Sequence, residues 1–474
     1  MPPPSAIGFG VADAGLSAAL VTPVRLCLLV LASRGIETGH SQSGPVSVAE
    51  GAAAVMEDLV GRQWFQGAVV IGRGGVVQYS EGFGFADLER RVPFTPDTPT
   101  DGGSMAKTFT AAALLLLAAE GRVDLEAPVR DILPSFPHAA TRVRHLLAHS
   151  AGLPGFDWLD ARVTAGEVRT NASHVALVAR DAPAPAFVPG SGFGYDNVAY
   201  DVAAMVVERL AGMSFADFLA QRFARPLGLE AFLRPARFAD WTGVRTRGYQ
   251  RSDSGWTEHD AYDLEGFYGA SNVYLSARDL HDWVAGYRRV VGPDVSRAAV
   301  TPARLDDGRS TGIGLGSWYV SKDRRRRYYT GDLNGFYSFA YADDARGLAV
   351  AWVANDGPPP WVQSGLARAL IAVAEGRRPE RVVPPPAVAP APDPTGAYRV
   401  PAVGTVVVRR DGPRILARVD AVEYDAFPLG DNVQFVPGLD AYLRFSLGAD
   451  GRVTLSWDSV FAVATAVPRL PAVR

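Results

Sequence analysis

Residues 102–121, GGSMAKTFTAAALLLLAAEG, decide the fold. Ser104-Met105-Ala106-Lys107 opens the most apolar helical pattern of the chain, which runs over 105–120 and is closed by Gly121. Ser104 falls in the first turn and Lys107, three residues on, projects from nearly the same face, so hydroxyl and amine can meet. A serine hydroxyl is a weak nucleophile until a neighbouring base takes its proton, and an amine whose charged form is disfavoured by burial can be that base. The helix start adds free backbone N–H groups and positive potential where an oxyanion would form. Composition sharpens the point: of the 47 Lys and Arg residues, only Lys107 and Lys322 are lysine. An amine can give up its proton; a guanidinium effectively cannot.

Ser-x-x-Lys alone is a common match, and a serine cap beside a solvated lysine reads the same way. The motif has company. Tyr195-Asp196-Asn197 follows Pro189-Gly190-Ser191-Gly192 and opens a helical pattern over 197–210, closed by Gly212. A tyrosine there can pass protons between the serine and a leaving group, while the Asn197 amide can bind a substrate carbonyl and orient Lys107. A third element, Tyr329-Thr330-Gly331-Asp332, falls on a late strand. Its glycine lets a substrate lie against the backbone as an added strand.

Working outward, 474 residues argue for more than one domain. Hydrophobic residues at 48%, charged residues at 20% and a net charge of -3 exclude wholesale disorder and give no global drive toward nucleic acid or acidic membranes. Cys27, the sole cysteine, excludes an intramolecular disulfide and any zinc site built on several thiolates. Residues 67–79 read as a hairpin around Arg73-Gly74-Gly75, and 327–341 and 347–354 as two late strands. Strands at both ends with helices between describe an α+β domain over 46–375, an antiparallel sheet whose terminal strands come together. Residues 376–394 are a Pro-rich linker, and 395–474 alternate short apolar strands with turns, as in a small all-β barrel. Residues 1–45 are expected to be a disordered N-terminus or a signal segment. Arg25 precedes the apolar stretch 26–32, so a start at Val21 would give a secretory signal near 21–41. The protein is then periplasmic or secreted, and otherwise cytoplasmic. No stretch reaches the ~20 apolar residues that span a bilayer.

The order and surroundings of these pieces resemble the serine β-lactamase-like superfamily, in its class C β-lactamase, D-aminopeptidase, DD-carboxypeptidase and family VIII esterase branch. The resemblance extends to VRHLLAHSAGLPG at 143–155, VPGSGFGYDN at 188–197, LSARDL at 275–280 and YYTGDLNGF at 328–336. It implies a sheet flanked by helices, an all-helical subdomain, and acyl transfer through an ester on Ser104. Lys107 would be the proton acceptor, helped by Tyr195; Asn197 would hold the substrate amide. The backbone N–H groups of Ser104 and Asp332 would form the oxyanion hole, on a substrate-binding strand of Tyr329, Thr330, Gly331 and Asp332. No metal or organic cofactor is implied, and the expected partner is a small molecule or short peptide. The β tail looks like the appended domains of the D-aminopeptidase branch.

One position departs from the pattern. The family usually carries Lys or His where this chain has Tyr329. A phenol offers no formal charge to a substrate carboxylate, and charge-assisted hydrogen bonds are roughly twice as strong as neutral ones. The expected substrate is therefore an ester or amide without a strict carboxylate requirement, such as a D-amino-acid peptide or amide or a short-chain ester, ahead of a β-lactam. The run Arg324 to Arg327 reads as a solvated strand edge, or else as a positive field that restores carboxylate binding. The alternative function is a catalytically silent protein that binds peptidoglycan peptides or a partner.

Other signals read as structural. His145 and His149 have the i, i+4 spacing of a metal pair but no third ligand. Residues 102–106 approximate a nucleophile elbow, yet polar, Pro-broken 98–101 predicts no strand before the serine. The glycines of 312–316 fit a strand bend better than a nucleotide loop. Trp256, Tyr262, Phe267 and Tyr268 read as core, or else as a wall of the acyl pocket.

Overall fold

A computed structural model describes residues 47–471 except 163–169, 182, 231, 234–244, 253–254, 260–265, 386–392, 413, 420, 430–431 and 449. The signal segment expected near 21–41, Tyr262 and the middle of the Pro-rich linker lie outside the described residues. Helix α1 (Val48–Gly61) starts at a reciprocal cap between Ser47 and Glu50. The hairpin β1 (Gly67–Arg73) and β2 (Val76–Phe83) follows, then α2 (Ala106–Ala119). Every residue from Ala106 to Leu117 is buried, so α2 is a core helix with protein on all sides. Helix α3 (Asn197–Ala211) is capped by Asp196, and α4 (Ala277–Ala299) by Ser276 with a kink at Gly292.

After α4 come β3 (Pro302–Arg304), β4 (Ser310–Gly314), β5 (Tyr319–Val320), β6 (Arg326–Leu333), β7 (Phe336–Asp343), β8 (Leu348–Ala354) and α5 (Pro360–Ala374). The sheet runs β3-β4-β5-β6-β7-β8-β1-β2 with antiparallel pairing throughout. Strand β1 thus pairs with β8, in a register set by Gly67↔Ala354 and Arg73↔Leu348. All of β8 is buried, with α4 and α5 against it. Two expectations change. Residues 327–341 are two strands, broken at Asn334-Gly335, both with positive φ, in the two-residue turn that such a pair favours. Residues 98–101 do contribute a strand, Thr100–Asp101, two residues long and paired with Val273–Leu275.

The C-terminal sheet has eight strands in sequential order: β9 (Gly396–Val400), β10 (Gly404–Asp411), β11 (Arg414–Val419), β12 (Val422–Pro428), β13 (Val433–Val436), β14 (Ala441–Leu447), β15 (Val453–Asp458) and β16 (Val463–Pro468). A bridge between Tyr398 and Arg469 brings the first and last edges together, leaving a nearly closed barrel. Its strands alternate buried and partly exposed residues, as β15 does, with Val453, Leu455 and Trp457 inward. The fold is β-lactamase/transpeptidase-like with a barrel-like C-terminal sheet packed on it.

Candidate active site

Ser104 sits in a 3₁₀ turn, Gly103–Met105, that leads into α2, one step ahead of the α-helix itself. The turn is pinned from three directions. The Gly103 N–H donates to Asp101 Oδ1 at 2.9 Å, the Gly102 N–H to the Val273 carbonyl at 3.0 Å, and the Ser338 hydroxyl to the Gly102 carbonyl at 2.7 Å. One helical turn on, the fully buried Lys107 donates from Nζ to Ser104 Oγ at 2.9 Å and to the Ala270 carbonyl at 3.0 Å. The Tyr195 hydroxyl donates to the same serine oxygen at 3.0 Å. The Lys107 amine also lies 5.0 Å from the Tyr195 ring centre and 5.8 Å from that of Tyr200. Ser104, Lys107 and Tyr195 therefore form one hydrogen-bonded group.

The loop that carries Tyr195 is set by a histidine that spacing alone did not assign to the site. His149 stacks on the Tyr195 ring, 4.7 Å between centres, and its Nδ1 accepts the Asp196 N–H at 3.0 Å. Burial, and then the Lys107 charge, push His149 down to about 3, so the ring is neutral. Asp196 caps α3 by accepting the Ala199 N–H at 2.8 Å and ties in the Leu153 N–H at 3.2 Å. Asn197, the first residue of α3, makes no hydrogen bond to Lys107; the Ala270 carbonyl holds the amine instead. Asn197 and Tyr195 face a cavity of about 470 Å³, walled by Leu153 and Phe187 and, from the barrel, by Arg409 and Tyr424.

Strand β6 meets Tyr195 through Tyr329. The buried Tyr329 hydroxyl is 3.2 Å from that of Tyr195, and its ring stacks on Tyr319 at 5.3 Å. Burial and the neighbouring phenols hold the Tyr329 hydroxyl well above its ordinary pKa, so it is a neutral donor. A methyl group on Gly331 would stand 1.9 Å from the Gly102 carbonyl oxygen, which is why glycine fits here: the strand lies directly on the Ser104 turn. Strand β5 pairs with β6 only through Arg327 and Tyr328, so among the described residues 329–333 have no strand partner on that side. Thr330 instead donates to Asp440 Oδ1 of the barrel at 3.4 Å. Asp332 is exposed, yet enough protein surrounds its carboxyl to push it up to about 6; burial pushes Asp440 up to about 7.

The remaining signals separate from the site. His145 meets Asp306 at 3.3 Å while His149 stacks on Tyr195, so the two do not converge on one point. Arg324 and Arg325 are exposed, but Arg327 is buried, bonded to Asp344 and to the Val284 carbonyl at 2.9 Å. Arg326 opposes Asp343 whereas Asp332 opposes Tyr337, so the arginine run and the site occupy opposite ends of β6. Gly312 lies within β4, with positive φ, against the Tyr424 hydroxyl. Phe267 is core, Tyr268 half-buried, and Trp256 lies half-buried under the Arg251 guanidinium.

The Beta-lactamase family model matches residues 52–375. A penicillin-binding protein of Bacillus subtilis (strain 168) is 27% identical over 276 residues, 55% of this chain and 61% of that protein. The chain thus spans about three-fifths of the length of the curated relatives it matches. Among solved structures, the octameric penicillin-binding protein homologue from Pyrococcus abyssi has a TM-score of 0.58 at 20% identity, covering 88% of this chain and 98% of that one. The D-amino acid amidase from Ochrobactrum anthropi SV3 has a TM-score of 0.53 at 22% identity, covering 65% of this chain and 90% of that one. Among the described residues no helix is long and apolar enough to cross a membrane.

Proposed function

The chain belongs to the beta-lactamase family, and from that premise we propose that it hydrolyses an ester or amide through a covalent acyl-Ser104 intermediate. The observation that carries this reading is the amine of Lys107 at 2.9 Å and the phenol of Tyr195 at 3.0 Å from one serine oxygen. With its amine neutral, Lys107 takes the Ser104 proton as Oγ bonds to the substrate carbonyl carbon. The backbone N–H groups of Ser104 and Asp332 bear the charge on the carbonyl oxygen. Tyr195 passes a proton to the leaving group, and water then releases the acyl group from Ser104. Asn197 holds the substrate amide from the cavity side.

Tyr329 supplies no cation, and the cavity beside Tyr195 and Asn197 is lined by Arg309, Arg409 and Arg414 together with Asp411, Glu423 and Asp425, so its mixed charges do not single out a substrate carboxylate. An ester or amide without a strict carboxylate requirement, such as a D-amino-acid amide or a short-chain ester, fits these charges. The D-amino acid amidase among the structural relatives points to the same chemistry. A fluorophosphonate probe with peptide mapping tests the mechanism: an adduct on Ser104 is expected, with its rate falling about 100- to 10,000-fold in Lys107→Arg. A folded protein that takes no adduct would be a binder rather than a hydrolase. Parallel turnover of a D-amino-acid amide, a p-nitrophenyl ester and a cephalosporin tests the substrate class. Preference for the cephalosporin would sink it.

A further inference from the structure

The Ala270 carbonyl that holds Lys107 is itself held. Residues 267–272 form a shelf beside α2 and α3, and polar side chains fix nearly every peptide group in it. Asn171 accepts the Tyr268 N–H at 3.1 Å and donates to the Tyr268 carbonyl at 2.7 Å. The same amide donates to the Asp201 carbonyl at 3.0 Å, joining the shelf to α3. Thr110, on α2, donates to the Gly269 carbonyl at 2.7 Å. Gly269 has φ 110°, and a methyl there would stand 2.4 Å from the Tyr200 carbonyl, so only glycine brings the shelf this close. Next in line, the Ala270 N–H donates to Asp201 Oδ1 at 3.2 Å.

Asp201 has no part in the chemistry set out above. It lies four residues beyond Asn197 on α3, hence on the same face of the helix. It is 1% exposed, and its other oxygen lies 3.8 Å from Nδ1 of His174, whose ring stacks 3.8 Å from that of Phe267. A carboxyl buried this deeply is costly unless its contacts are put to use. We propose that Asp201 is a positioning residue for Lys107: by accepting the Ala270 N–H it aims the Ala270 carbonyl, which fixes the Lys107 amine toward Ser104.

The reason lies in the valence of the amine. A neutral amine has two N–H groups and one lone pair, and only the lone pair can take the serine proton. With one N–H committed to Ala270, rotation about Cε–Nζ is fixed and the lone pair can face Oγ. Without that anchor the N–H groups have the faces of Tyr195 and Tyr200 to turn toward, and the lone pair loses its aim. The contribution of Asp201 is an acceptor oxygen rather than a charge. Burial raises its carboxyl to about 8, so at neutral pH most molecules carry a proton there. An asparagine offers the same acceptor.

This inference rests on Lys107 being the base, and two measurements separate it from that premise. The first is the rate and end point of Ser104 labelling by a fluorophosphonate in wild type, Asp201→Ala and Asp201→Asn, with kcat and KM on an ester. In Asp201→Ala the labelling rate is expected to fall about 10- to 100-fold at an unchanged end point, with KM within about threefold of wild type. Asp201→Asn is expected to recover to within about threefold of wild type. The second uses the two lysines of the chain. Protein labelled at lysine 13Cε gives one signal from buried Lys107 and one from exposed Lys322. The Lys107 signal should move in Asp201→Ala and stay in Asp201→Asn, while Lys322 stays in both. The proposal is overturned if Asp201→Ala leaves the rate and the Lys107 signal unchanged, or if Asn is as impaired as Ala. A wild type that takes no label refutes the base assignment instead, and the three lysine spectra still decide whether Asp201 sets the amine.

Discussion

Thr330, next to Tyr329 on β6, donates its hydroxyl to Asp440, a residue of the C-terminal barrel, at 3.4 Å. The link is one of several. Tyr319, which stacks on Tyr329, donates to the Pro437 carbonyl, and Tyr424 donates to the Thr311 carbonyl at 3.1 Å. Phe193, two residues before Tyr195, meets Tyr424 edge-on at 5.2 Å. The barrel therefore completes the cleft rather than trailing behind it. Ending the chain near residue 380 should uncover Tyr319, Tyr328 and Phe193 together. The expected outcome is a lower Tm, increased binding of a hydrophobic dye and an altered order of substrate preference. A truncated protein that keeps the wild-type Tm and substrate order would contradict it.

Tyr329→Lys places a cation on strand β6 beside Tyr195. Turnover of a cephalosporin relative to a neutral p-nitrophenyl ester should rise at least about tenfold, since a carboxylate gains a charge-assisted partner. Tyr329→Phe, which removes only the hydroxyl 3.2 Å from Tyr195, separates the new charge from the lost contact.

Gly331→Ala forces its methyl against the Gly102 carbonyl, backbone against backbone, so neither side can swing away. Strand β6 must lift off the Ser104 turn, moving the Asp332 N–H from its proposed oxyanion position. Losing one such donor costs about 100- to 1000-fold in kcat. Circular dichroism that matches wild type beside undiminished activity would refute this.

Asp356 is buried, and burial raises its carboxyl to about 8. The folded chain thus holds a proton that the unfolded chain gives up near pH 4. By linkage, this group favours folding at low pH, and its contribution fades as pH rises from about 4 through about 8. Asp356→Asn cannot ionise, so its Tm should fall less than that of wild type between pH 5 and 8.5. Parallel Tm curves for the two proteins would show that Asp356 does not titrate in this way.

The serine, lysine and tyrosine were legible because each needs only local pattern: an apolar helix start, a spacing of three, a loop ahead of a capped helix. What escaped depends on distant chain. The Ala270 carbonyl has no side-chain signature, and Asp201 looks like one more helix residue until the Ala270 N–H arrives from 69 residues away. Asp440 reaches Thr330 only through barrel packing. Arg327 shows the limit of reading charge: amid four consecutive arginines it looks solvated, yet Tyr287 and Trp318 lie over its guanidinium at 5.2 and 5.3 Å. Asn334-Gly335 was a turn signal in plain view, masked by the aromatic run on either side.

The pairing of β1 with β8 carries a consequence for biosynthesis. Ser104 and Lys107 leave the ribosome long before Ala354, so the sheet beneath them stays open through most of translation. Until the later strands emerge, the Ser104 turn has neither Gly331 above it nor Ala270 at its side. On the proposed mechanism, Ser104 gains its reactive surroundings only once Ala270 and Gly331 have folded onto that turn.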